Sequence, residues 1–306
     1  MSLGSRLRDG LSSHNGFVRK GARAALFLPK WLRSWSVTPG DYAARPPVLA
    51  NSFPKSGTHL LVQMIDGMPD RVNYGAFLGS ETSSFQLRER SEANTRAFIC
   101  GFVPGEVIRG HLYYEAPYAK ALSDQNTVQY FIYRDLRAVV VSEAHYLREM
   151  NRWHRLAPYF QKLSIEDAIA LSITGFDPPV AGINYPNIAE RFARYRGWLA
   201  HPDCMCIRYE DLQSEGRDAI VRDMAKFYLS HSSRTDLDLE ECAGAMLANV
   251  APQKSHTFRS GKKAGWQKEF TDKHYRLFDD VAGQLLLDLG YERDHTWAHS
   301  PPANVV

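Results

Sequence analysis

The sequence contains little cysteine, no long hydrophobic run and no dominant charge sign. Only four of the 306 residues are cysteines, and their spacing is not that of a disulfide framework. No stretch reaches the roughly 18 uninterrupted apolar residues of a membrane-spanning helix. The formal net charge of +3 is low for a nucleic-acid-binding protein of this size, so no nucleic-acid partner is expected.

Two further absences narrow the expected function. Histidines, cysteines and carboxylates are not clustered at metal-ligand spacings, so no metal is predicted. Cys204 and Cys206 alternate within an apolar run, which favours two small buried side chains over a redox pair. The first residues lack the apolar core of a secretory signal. We therefore expect a cytoplasmic globular protein, whose 44% hydrophobic residues are enough to bury a core.

Residues 1–45 differ in composition from the rest and are predicted to form a basic N-terminal arm. Between Phe17 and Trp35, large apolar residues are mixed with five basic ones, namely Arg19, Lys20, Arg23, Lys30 and Arg33. This pattern fits a basic amphipathic helix that is interrupted at Pro29. Two interpretations stay open: the arm packs its aromatic side chains on the main domain, or it lies on an anionic membrane surface.

Residues 46–306 alternate short apolar runs with helical periodicity and are predicted to form one domain. Strands are expected at 47–53, 106–111, 127–133 and 204–209. Helices are expected at 58–68, 136–148, 164–174, 188–200, 219–229 and 275–289. Strands separated by helices indicate a central parallel sheet with helices on both faces, which is a three-layer α/β fold of the P-loop type.

The most informative segment is F-P-K-S-G-T-H-L at residues 53–60, between the first predicted strand and the first helix of the domain. Backbone N–H groups converge at the start of a helix, and the helix dipole adds positive potential, so a phosphate fits there. Gly57 allows the backbone to approach a ligand closely. Lys55 supplies a positive charge, and Ser56 and Thr58 supply hydroxyl donors. The segment therefore predicts a phosphate-binding loop.

This loop differs from the Walker A loop of nucleotide triphosphatases, G-x-x-x-x-G-K-[ST]. Here the lysine precedes the glycine, and the upstream glycine is missing. The alternative function is a P-loop kinase that uses ATP, which would need a Walker lysine and a magnesium-binding partner. A nucleotide-binding or membrane-scaffold protein without catalytic activity is a third hypothesis.

A second phosphate contact is predicted where Arg134 ends a strand and Ser142 follows eight residues later, inside the next helix. Eight residues are slightly more than two helical turns, so both side chains can reach one phosphate if that helix folds back. An arginine that merely ends a strand is the simpler interpretation of this pattern by itself.

Both segments resemble motifs of the sulfotransferases that use 3′-phosphoadenosine 5′-phosphosulfate (PAPS). P-K-S-G-T resembles the family's 5′-phosphosulfate loop, and R-x(7)-S resembles the stretch that holds the 3′-phosphate. The resemblance implies PAPS as co-substrate and 3′-phosphoadenosine 5′-phosphate (PAP) as product. It also implies transfer of a sulfuryl group to a hydroxyl or amine of a small-molecule, lipid or carbohydrate acceptor. The implied cofactor-binding residues in these segments are Lys55, Ser56, Gly57, Thr58, His59, Arg134 and Ser142.

Two further segments, in the family's order, extend the resemblance to roughly residues 47–291. F-R-S-G-K-K-A-G-W-Q-K-E-F-T at 258–271 resembles the family's R-K-G…G-D-W-K-x-x-F-T segment. By this resemblance, Arg259, Ser260 and Gly261 close over the 3′-phosphate. R-Y-E-D-L at 208–212 resembles the family's Y-E-D-L element, whose tyrosine, here Tyr209, touches the adenine.

His111, in V-I-R-G-H-L at 107–112, resembles the histidine of the family's K-x-H-L-P segment and is the predicted catalytic base. An ordinary imidazole pKa of about 6.5 suits a group that accepts protons near neutral pH. A strand end also lies at the mouth of an α/β sheet, where sites form. In the implied in-line displacement, His111 removes the acceptor proton while Lys55 and the loop N–H groups stabilise charge on the departing oxygen.

The sequence departs from the family in several places. His59 and Leu60 follow S-G-T where family members often carry Thr-Trp, so it stays open whether Leu60 replaces the aromatic stack on adenine. Ser260 replaces the lysine of R-K-G. The family's short dimerisation motif is not reproduced, and the oligomeric state is not predicted. Residues 147–186, rich in aromatics and prolines, are expected to line an acceptor pocket or lid, but they do not identify the acceptor.

Overall fold

The structure is a computed structural model that describes residues 16–251 and 265–299. The chain forms two compact units. Unit 1 holds the described residues of 1–80, 90–133 and 197–259, and unit 2 holds those of 81–89, 134–196 and 260–306. Each unit is therefore assembled from segments that are distant in the sequence.

Strands and helices alternate along the chain. The strands are β1 (Val48–Ser52), β2 (Phe77–Gly79), β3 (Val107–His111), β4 (Val128–Tyr133) and β5 (Cys204–Arg208). The α-helices are α1 (Gly16–Ser34), α2 (Pro39–Ala44), α3 (Thr58–Gly67), α4 (Glu92–Cys100), α5 (Ala116–Asp124), α6 (Leu136–His145), α7 (Ala157–Phe160), α8 (Ile165–Thr174), α9 (Ile188–Ala193), α10 (Arg217–His231), α11 (Leu239–Ala248) and α12 (Asp272–Asp288). A π-helical turn, Tyr146–Met150, follows α6, and 3-10 turns lie at Arg196–Ala200, Asp211–Gln213, Gly265–Lys268 and His295–Ala298.

Unit 1 is built around a parallel five-stranded sheet in the order β2-β3-β1-β4-β5. The central strand β1 pairs with β3 and with β4, and Val48 is in register with Val107 and Val128. Because the strands are parallel, their carboxyl ends lie at one edge of the sheet. The residues that follow β1, β3 and β5 in unit 1 therefore meet at that edge, where ligands of open α/β sheets bind.

The core of unit 1 surrounds β1, whose two polar residues, Asn51 and Ser52, lie at its carboxyl end. All five residues of β1 are buried, as expected for a central strand of a parallel sheet. A hydrophobic cluster joins residues of β1 and β4 to α3, α10 and α11. Tyr130 of β4 lies in this cluster, and its hydroxyl donates to the Met224 carbonyl at 2.6 Å. That bond satisfies a phenol that would be costly to bury without an acceptor.

Unit 2 is mainly helical. α6 packs against α8, and α12 contacts both α8 and α9. The longest of these helices, α12, buries one face at the three- and four-residue spacing of an amphipathic helix. The buried residues of this face include Tyr275, Phe278, Ala282, Leu285 and Leu286.

The predicted α/β architecture with a central parallel sheet is confirmed. The four predicted strands correspond to β1, β3, β4 and β5, but the sequence did not reveal β2, whose three residues are too few for a periodic signal. It also did not reveal the helices α2, α4, α5, α7 and α11. The helix predicted at 188–200 is wrong as one element, because α9 ends at Ala193 and a 3-10 turn follows at Arg196–Ala200.

Two smaller predictions are corrected. The N-terminal helix is not interrupted at Pro29, since α1 runs from Gly16 to Ser34. Pro29 lacks the N–H that would bond the Ala25 carbonyl, but both residues are exposed, so water can satisfy that carbonyl. Cys204 and Cys206 are half-buried rather than buried, because β5 is an edge strand. The division between an arm and a domain at residue 45 stays a prediction.

No helix within residues 16–251 and 265–299 has the length and apolar content that crossing a bilayer requires.

Candidate active site

The predicted phosphate loop connects β1 to α3 at the carboxyl edge of the sheet in unit 1. Lys55 and Gly57 both adopt positive φ, at 67° and 100°, so the chain turns sharply before the helix. α3 begins at Thr58. Its N-cap residue is Gly57, which has no side chain that could accept a hydrogen bond from the first turn. The N–H groups at a helix start need acceptors, and together with the helix dipole they favour a bound phosphate.

Gly57 lies directly against the ring of Tyr209, which follows β5. A Cβ atom at position 57 would come within 2.5 Å of Tyr209 Cδ2, so a side chain does not fit there. The Tyr209 N–H donates to the Tyr133 carbonyl at 2.8 Å, and the Tyr209 side chain is buried. The structure thus places the predicted adenine contact beside the predicted phosphate loop, although the two motifs are far apart in the sequence.

Gly57→Ala is expected to lower the affinity for PAP about 10-fold or more. The substitution forces an L-residue into the left-handed region, at a cost of about 1–2 kcal/mol, and pushes its Cβ into Tyr209. Isothermal titration calorimetry with PAP measures the effect. The matched control is Gly244→Ala in α11, where an added Cβ meets nothing within 4 Å. If Gly57→Ala bound PAP as well as the control, the loop would not be the phosphate site.

The Ser56 hydroxyl shows whether the loop fits a phosphate. Its side chain is fully buried, and its hydroxyl has no hydrogen-bond partner among the residues that the structure describes. Leaving a buried donor without an acceptor costs about 1–3 kcal/mol. An anion held by the loop would supply that acceptor, so this group fits a phosphate ligand. Lys55 and Thr58 on either side are only partly buried.

A chain of hydrogen bonds joins the start of α3 to the predicted base. Ser52, the last residue of β1, has its Oγ 2.6 Å from Thr58 Oγ1 and 3.0 Å from His111 Nδ1. His111 ends the neighbouring strand β3, and its Nδ1 also lies 3.0 Å from the Ser52 carbonyl oxygen. Ser52 was not predicted as a site residue, although it lies at the end of the strand that leads into the loop.

These contacts define the tautomer and charge of His111. A carbonyl oxygen only accepts hydrogen bonds, so Nδ1 carries the hydrogen that it donates to Ser52, and Nε2 is the basic nitrogen. Burial, helped by the positive charges of Lys55 and Arg109, lowers the pKa of His111 from 6.5 to about 4. The imidazole is therefore neutral at physiological pH and able to accept a proton.

The backbone immediately after His111 is fixed from two sides. Asn51 donates to the Leu112 carbonyl at 3.0 Å and accepts from the Leu112 N–H at 2.8 Å. Trp198, which is buried, donates from Nε1 to the same carbonyl at 2.8 Å. These bonds restrain the strand end that carries the imidazole, which is what a positioned base requires.

The second predicted phosphate contact belongs to unit 2. Arg134 lies between β4 and α6, and Ser142 lies inside α6. The Asp135 side chain caps α6 by accepting from the Arg137 N–H at 2.9 Å. Arg134 and Ser142 are both only partly buried, so neither side chain is enclosed in the hydrophobic core.

Arg137 fastens the C-terminal motif to the start of α6. Its guanidinium lies between the rings of Trp266 and Trp297, 4.2 and 4.8 Å from their centroids. The same group donates to Asp135 at 2.8 Å and to Glu292 at 2.5 Å. Cation–π contacts of a desolvated arginine contribute about 2 kcal/mol or more, so this is a strong local attachment.

A second link joins the same two motifs. His145, one turn beyond Ser142, hydrogen-bonds to Glu269, which lies three residues after Trp266. Within unit 2 the structure therefore brings together the helix of R-x(7)-S and the described part of the G-W-Q-K-E-F-T segment. The preceding residues Arg259, Ser260 and Gly261, predicted to close over the 3′-phosphate, lie outside the described residues.

A buried polar cluster holds the residues next to Ser142. Glu143 Oε2 accepts hydrogen bonds from Ser172 at 2.7 Å, from Tyr185 at 2.8 Å and from Arg191 at 2.5 Å. Burial alone would raise the pKa of Glu143, but Arg191 and the hydrogen bonds outweigh it and the pKa lies below its ordinary value. The carboxylate is thus charged, and its Oε2 atom is fully used by three hydrogen bonds. This arrangement indicates a structural role in fixing α6 to the following segments.

Part of the segment expected to form an acceptor pocket lines a cavity in unit 2. The cavity has a volume of about 530 Å³ and combines apolar side chains with two cationic ones. Its lining residues are Arg155, Pro158, Tyr159, Lys162, Leu163, Ala181 and Ile183. All of them lie within residues 147–186, which the sequence analysis singled out.

His59 and Leu60 both lie in the first turn of α3. His59 is the second residue of α3 and is partly buried. Leu60 is partly buried and packs against the hydrophobic core of unit 1. In the described part of the chain, no group of three or more histidine, cysteine or acidic side chains could hold a metal ion.

Comparison with known proteins identifies a family. The sequence matches the sulfotransferase domain family over residues 45–290, which is most of the chain. No curated protein sequence matches it. The match spans the phosphate loop, His111, the R-x(7)-S stretch, Tyr209 and the C-terminal motif.

Solved structures share the fold. Mouse sulfotransferase SULT7A1, complexed with PAP, has a TM-score of 0.58 and 18% identity, covering 85% of this chain and 92% of that chain. Retinol dehydratase in a complex with retinol and PAP has a TM-score of 0.53 and 13% identity, covering 85% and 86%. The same enzyme with androsterone and inactive cofactor PAP has a TM-score of 0.51 and 13% identity, covering 81% and 83%.

Proposed function

Because the chain belongs to the sulfotransferase family, we propose that it transfers a sulfuryl group from PAPS to a hydroxyl or amine of an acceptor and releases PAP. The acceptor is a small molecule, a lipid or a carbohydrate. One observation carries the proposal: His111 is hydrogen-bonded through Ser52 to Thr58 at the start of the phosphate loop helix. The proposed proton acceptor and the proposed anion site are thus linked by hydrogen bonds.

The loop at the end of β1 is proposed to bind the 5′-phosphosulfate. The positive φ of Lys55 and Gly57 forms the turn, and the first N–H groups of α3 supply donors. The orphaned Ser56 hydroxyl supplies one more. His59 stays a proposed cofactor contact through its place in the first turn of α3. Tyr209, whose ring lies against Gly57, is proposed to touch the adenine.

Arg134 and Ser142 are proposed to bind the 3′-phosphate, with Arg259, Ser260 and Gly261 closing over it. Support comes from unit 2, where Arg137 and His145 attach the G-W-Q-K-E-F-T segment to α6. That attachment holds residues 265–271, which follow the proposed closing loop, beside α6, the helix that contains Ser142. A guanidinium suits this task, because its planar donors match phosphate oxygens.

The proposed reaction is a direct in-line transfer. His111 Nε2 accepts the proton of the acceptor hydroxyl as the new O–S bond forms and the bond between sulfur and the phosphate oxygen of the donor breaks. Negative charge then builds on that departing phosphate oxygen, where Lys55 and the loop N–H groups stabilise it. The products are the sulfated acceptor, PAP and a protonated His111, which returns its proton to solvent.

Titration of the purified chain with PAP, AMP and magnesium ATP tests the cofactor. We expect PAP to bind more tightly than AMP, because only PAP carries the 3′-phosphate. Arg134→Ala is expected to weaken PAP about 10- to 100-fold, the value of one or two charge-assisted hydrogen bonds, and to leave AMP nearly unchanged. The matched control is Arg196→Ala, which removes an exposed arginine paired with Asp288.

The same titration distinguishes the rival function. Preference for magnesium ATP, with no gain from the 3′-phosphate, would support a P-loop kinase and reject sulfuryl transfer. If Arg134→Ala lost affinity for PAP and AMP equally, Arg134 would not be the contact of the 3′-phosphate. The sulfotransferase assignment would be unaffected by that result.

A further inference from the structure

The described side chains of helix α1 that pack on the rest of unit 1 lie on one face of the helix. Ala22 and Leu26 are buried in a small cluster with Tyr74 and Val103. Lys30, one turn further along the same face, lies 2.7 Å from Glu106, whose carboxylate is fully buried. Removing one partner would leave the buried Glu106 carboxylate without its counter-charge, which is destabilising, so the contact fixes the orientation of the helix.

The opposite face of α1 is apolar and faces solvent. Phe27 and Trp31 lie on this face at four-residue spacing with Leu28 and Leu32 beside them, and Trp35 follows directly after the helix end at Ser34. All five are exposed, from 42% for Trp31 to 76% for Trp35. Among the residues that the structure describes, ten large hydrophobic side chains are exposed, and six of them belong to positions 18–35. So dense an exposed apolar patch indicates a binding surface.

The charge of this segment selects the kind of partner. From Gly16 to Ser34 the helix contains five basic residues and no acidic one. Lys30 pairs with Glu106, and the other four basic residues of the segment are Arg19, Lys20, Arg23 and Arg33. A helix that combines exposed tryptophan with several basic residues and no acidic one has the composition of helices that lie in the interface of an anionic bilayer. A second copy of the same helix would bring like charges together, which disfavours self-association.

We propose that α1 binds this protein to the surface of an anionic lipid bilayer, with Phe27, Leu28, Trp31, Leu32 and Trp35 inserted at the headgroup level. The helix lies in the plane of the interface, because its opposite face stays packed on unit 1. This inference rests on α1 alone and does not depend on the proposed sulfotransferase chemistry.

The place of α1 in unit 1 leaves the candidate active site accessible. Its contacts are with residues around Val103 and Glu106, which precede β3. His111 is the last residue of β3, five residues after Glu106, so Glu106 and His111 lie at opposite ends of this strand, roughly 17 Å apart at about 3.3 Å per residue. A bilayer against the outer face of α1 therefore does not cover the carboxyl edge of the sheet. Membrane-bound protein is expected to bind PAP as well as free protein does.

Vesicle co-sedimentation of the full chain tests the proposal. We expect binding to vesicles with about a third phosphatidylserine, reduced at least about 10-fold on pure phosphatidylcholine vesicles and weakened by salt. The double variant Trp31→Ala/Trp35→Ala is expected to lower the partition coefficient about 10-fold or more. The matched control is Trp153→Ala, which removes a tryptophan that is also 76% exposed but lies outside α1.

Thermal unfolding, vesicle binding and sedimentation velocity together distinguish the possible outcomes. All substituted side chains are exposed, so unchanged thermal unfolding is expected to show that the variants are folded. Equal binding of the double variant and the control to the anionic vesicles would overturn the proposal, as would equal binding to both lipid compositions or no binding at all. A dimer in sedimentation velocity that the double variant abolishes, without vesicle binding, would assign the patch to a second copy. Loss of PAP binding by wild-type protein would count against the proposed function and leave the vesicle result valid.

Discussion

His111→Ala is expected to lower kcat for sulfuryl transfer about 100- to 10,000-fold, the contribution of a positioned general base, while PAP still binds. The physical reason is the tautomer: Nδ1 donates to Ser52, so Nε2 is the nitrogen that can take the acceptor proton. Steady-state kinetics with PAPS and a phenol or alcohol acceptor measure kcat, and calorimetry with PAP reports whether the site is intact.

A control and an intermediate variant sharpen this prediction. His295→Ala removes a half-exposed histidine paired with Asp279 and is expected to leave kcat unchanged. Ser52→Ala keeps the backbone acceptor of His111 but deletes its hydroxyl contact and the link to Thr58, so a smaller loss of kcat is expected. Full activity of His111→Ala would remove the imidazole from the mechanism.

The pH dependence follows from the same environment. Because the pKa of His111 lies at about 4 in the free protein, its neutral, proton-accepting form dominates above that pH. The acid limb of kcat/KM, which reports the free enzyme, is therefore expected near pH 4 rather than near the ordinary 6.5. In kcat the limb is expected at higher pH, since bound phosphate and sulfate charges favour the imidazolium.

Lys55→Met is expected to lower kcat about 100- to 1,000-fold, the usual effect of deleting one preorganised group that stabilises developing charge. Methionine keeps the length and apolar stem of lysine but removes its positive charge. The loss of kcat should exceed the loss of PAP affinity, because charge on the departing oxygen is greatest in the transition state. Single-turnover kinetics alongside PAP calorimetry separate the two effects.

The His111 titration provides an independent readout of Lys55. The Lys55 charge helps to lower the pKa of His111, so Lys55→Met is expected to move the acid limb of kcat/KM to higher pH. Lys120→Met, which deletes an exposed charge paired with Asp124, is the control and should change neither kcat nor the acid limb. An unchanged acid limb in Lys55→Met would show that the Lys55 ammonium group is too far from the His111 imidazole to affect its pKa.

Local features of the sequence were sufficient to predict the architecture and the phosphate loop. Four strands were visible because strands buried in a parallel sheet are rich in apolar residues; β1, for example, is buried throughout and begins with Val48, Leu49 and Ala50. The loop was visible because a strand end, a glycine and a helix start are adjacent in the chain. β2 was missed because three residues at an edge contain no period.

The sequence by itself determined the α/β class, through the alternation of strand and helix patterns. It also predicted the phosphate loop from one short segment and His111 as the candidate base from its resemblance to the family's K-x-H-L-P segment. Only the tertiary structure decided what surrounds them. It brought Ser52 and Thr58 to His111 and the Tyr209 ring to Gly57, because parallel strands put their carboxyl ends at one edge. It also decided the low pKa of His111 and the exposed apolar face of α1. Burial and contact arise from residues distant in sequence, so no local pattern encodes them.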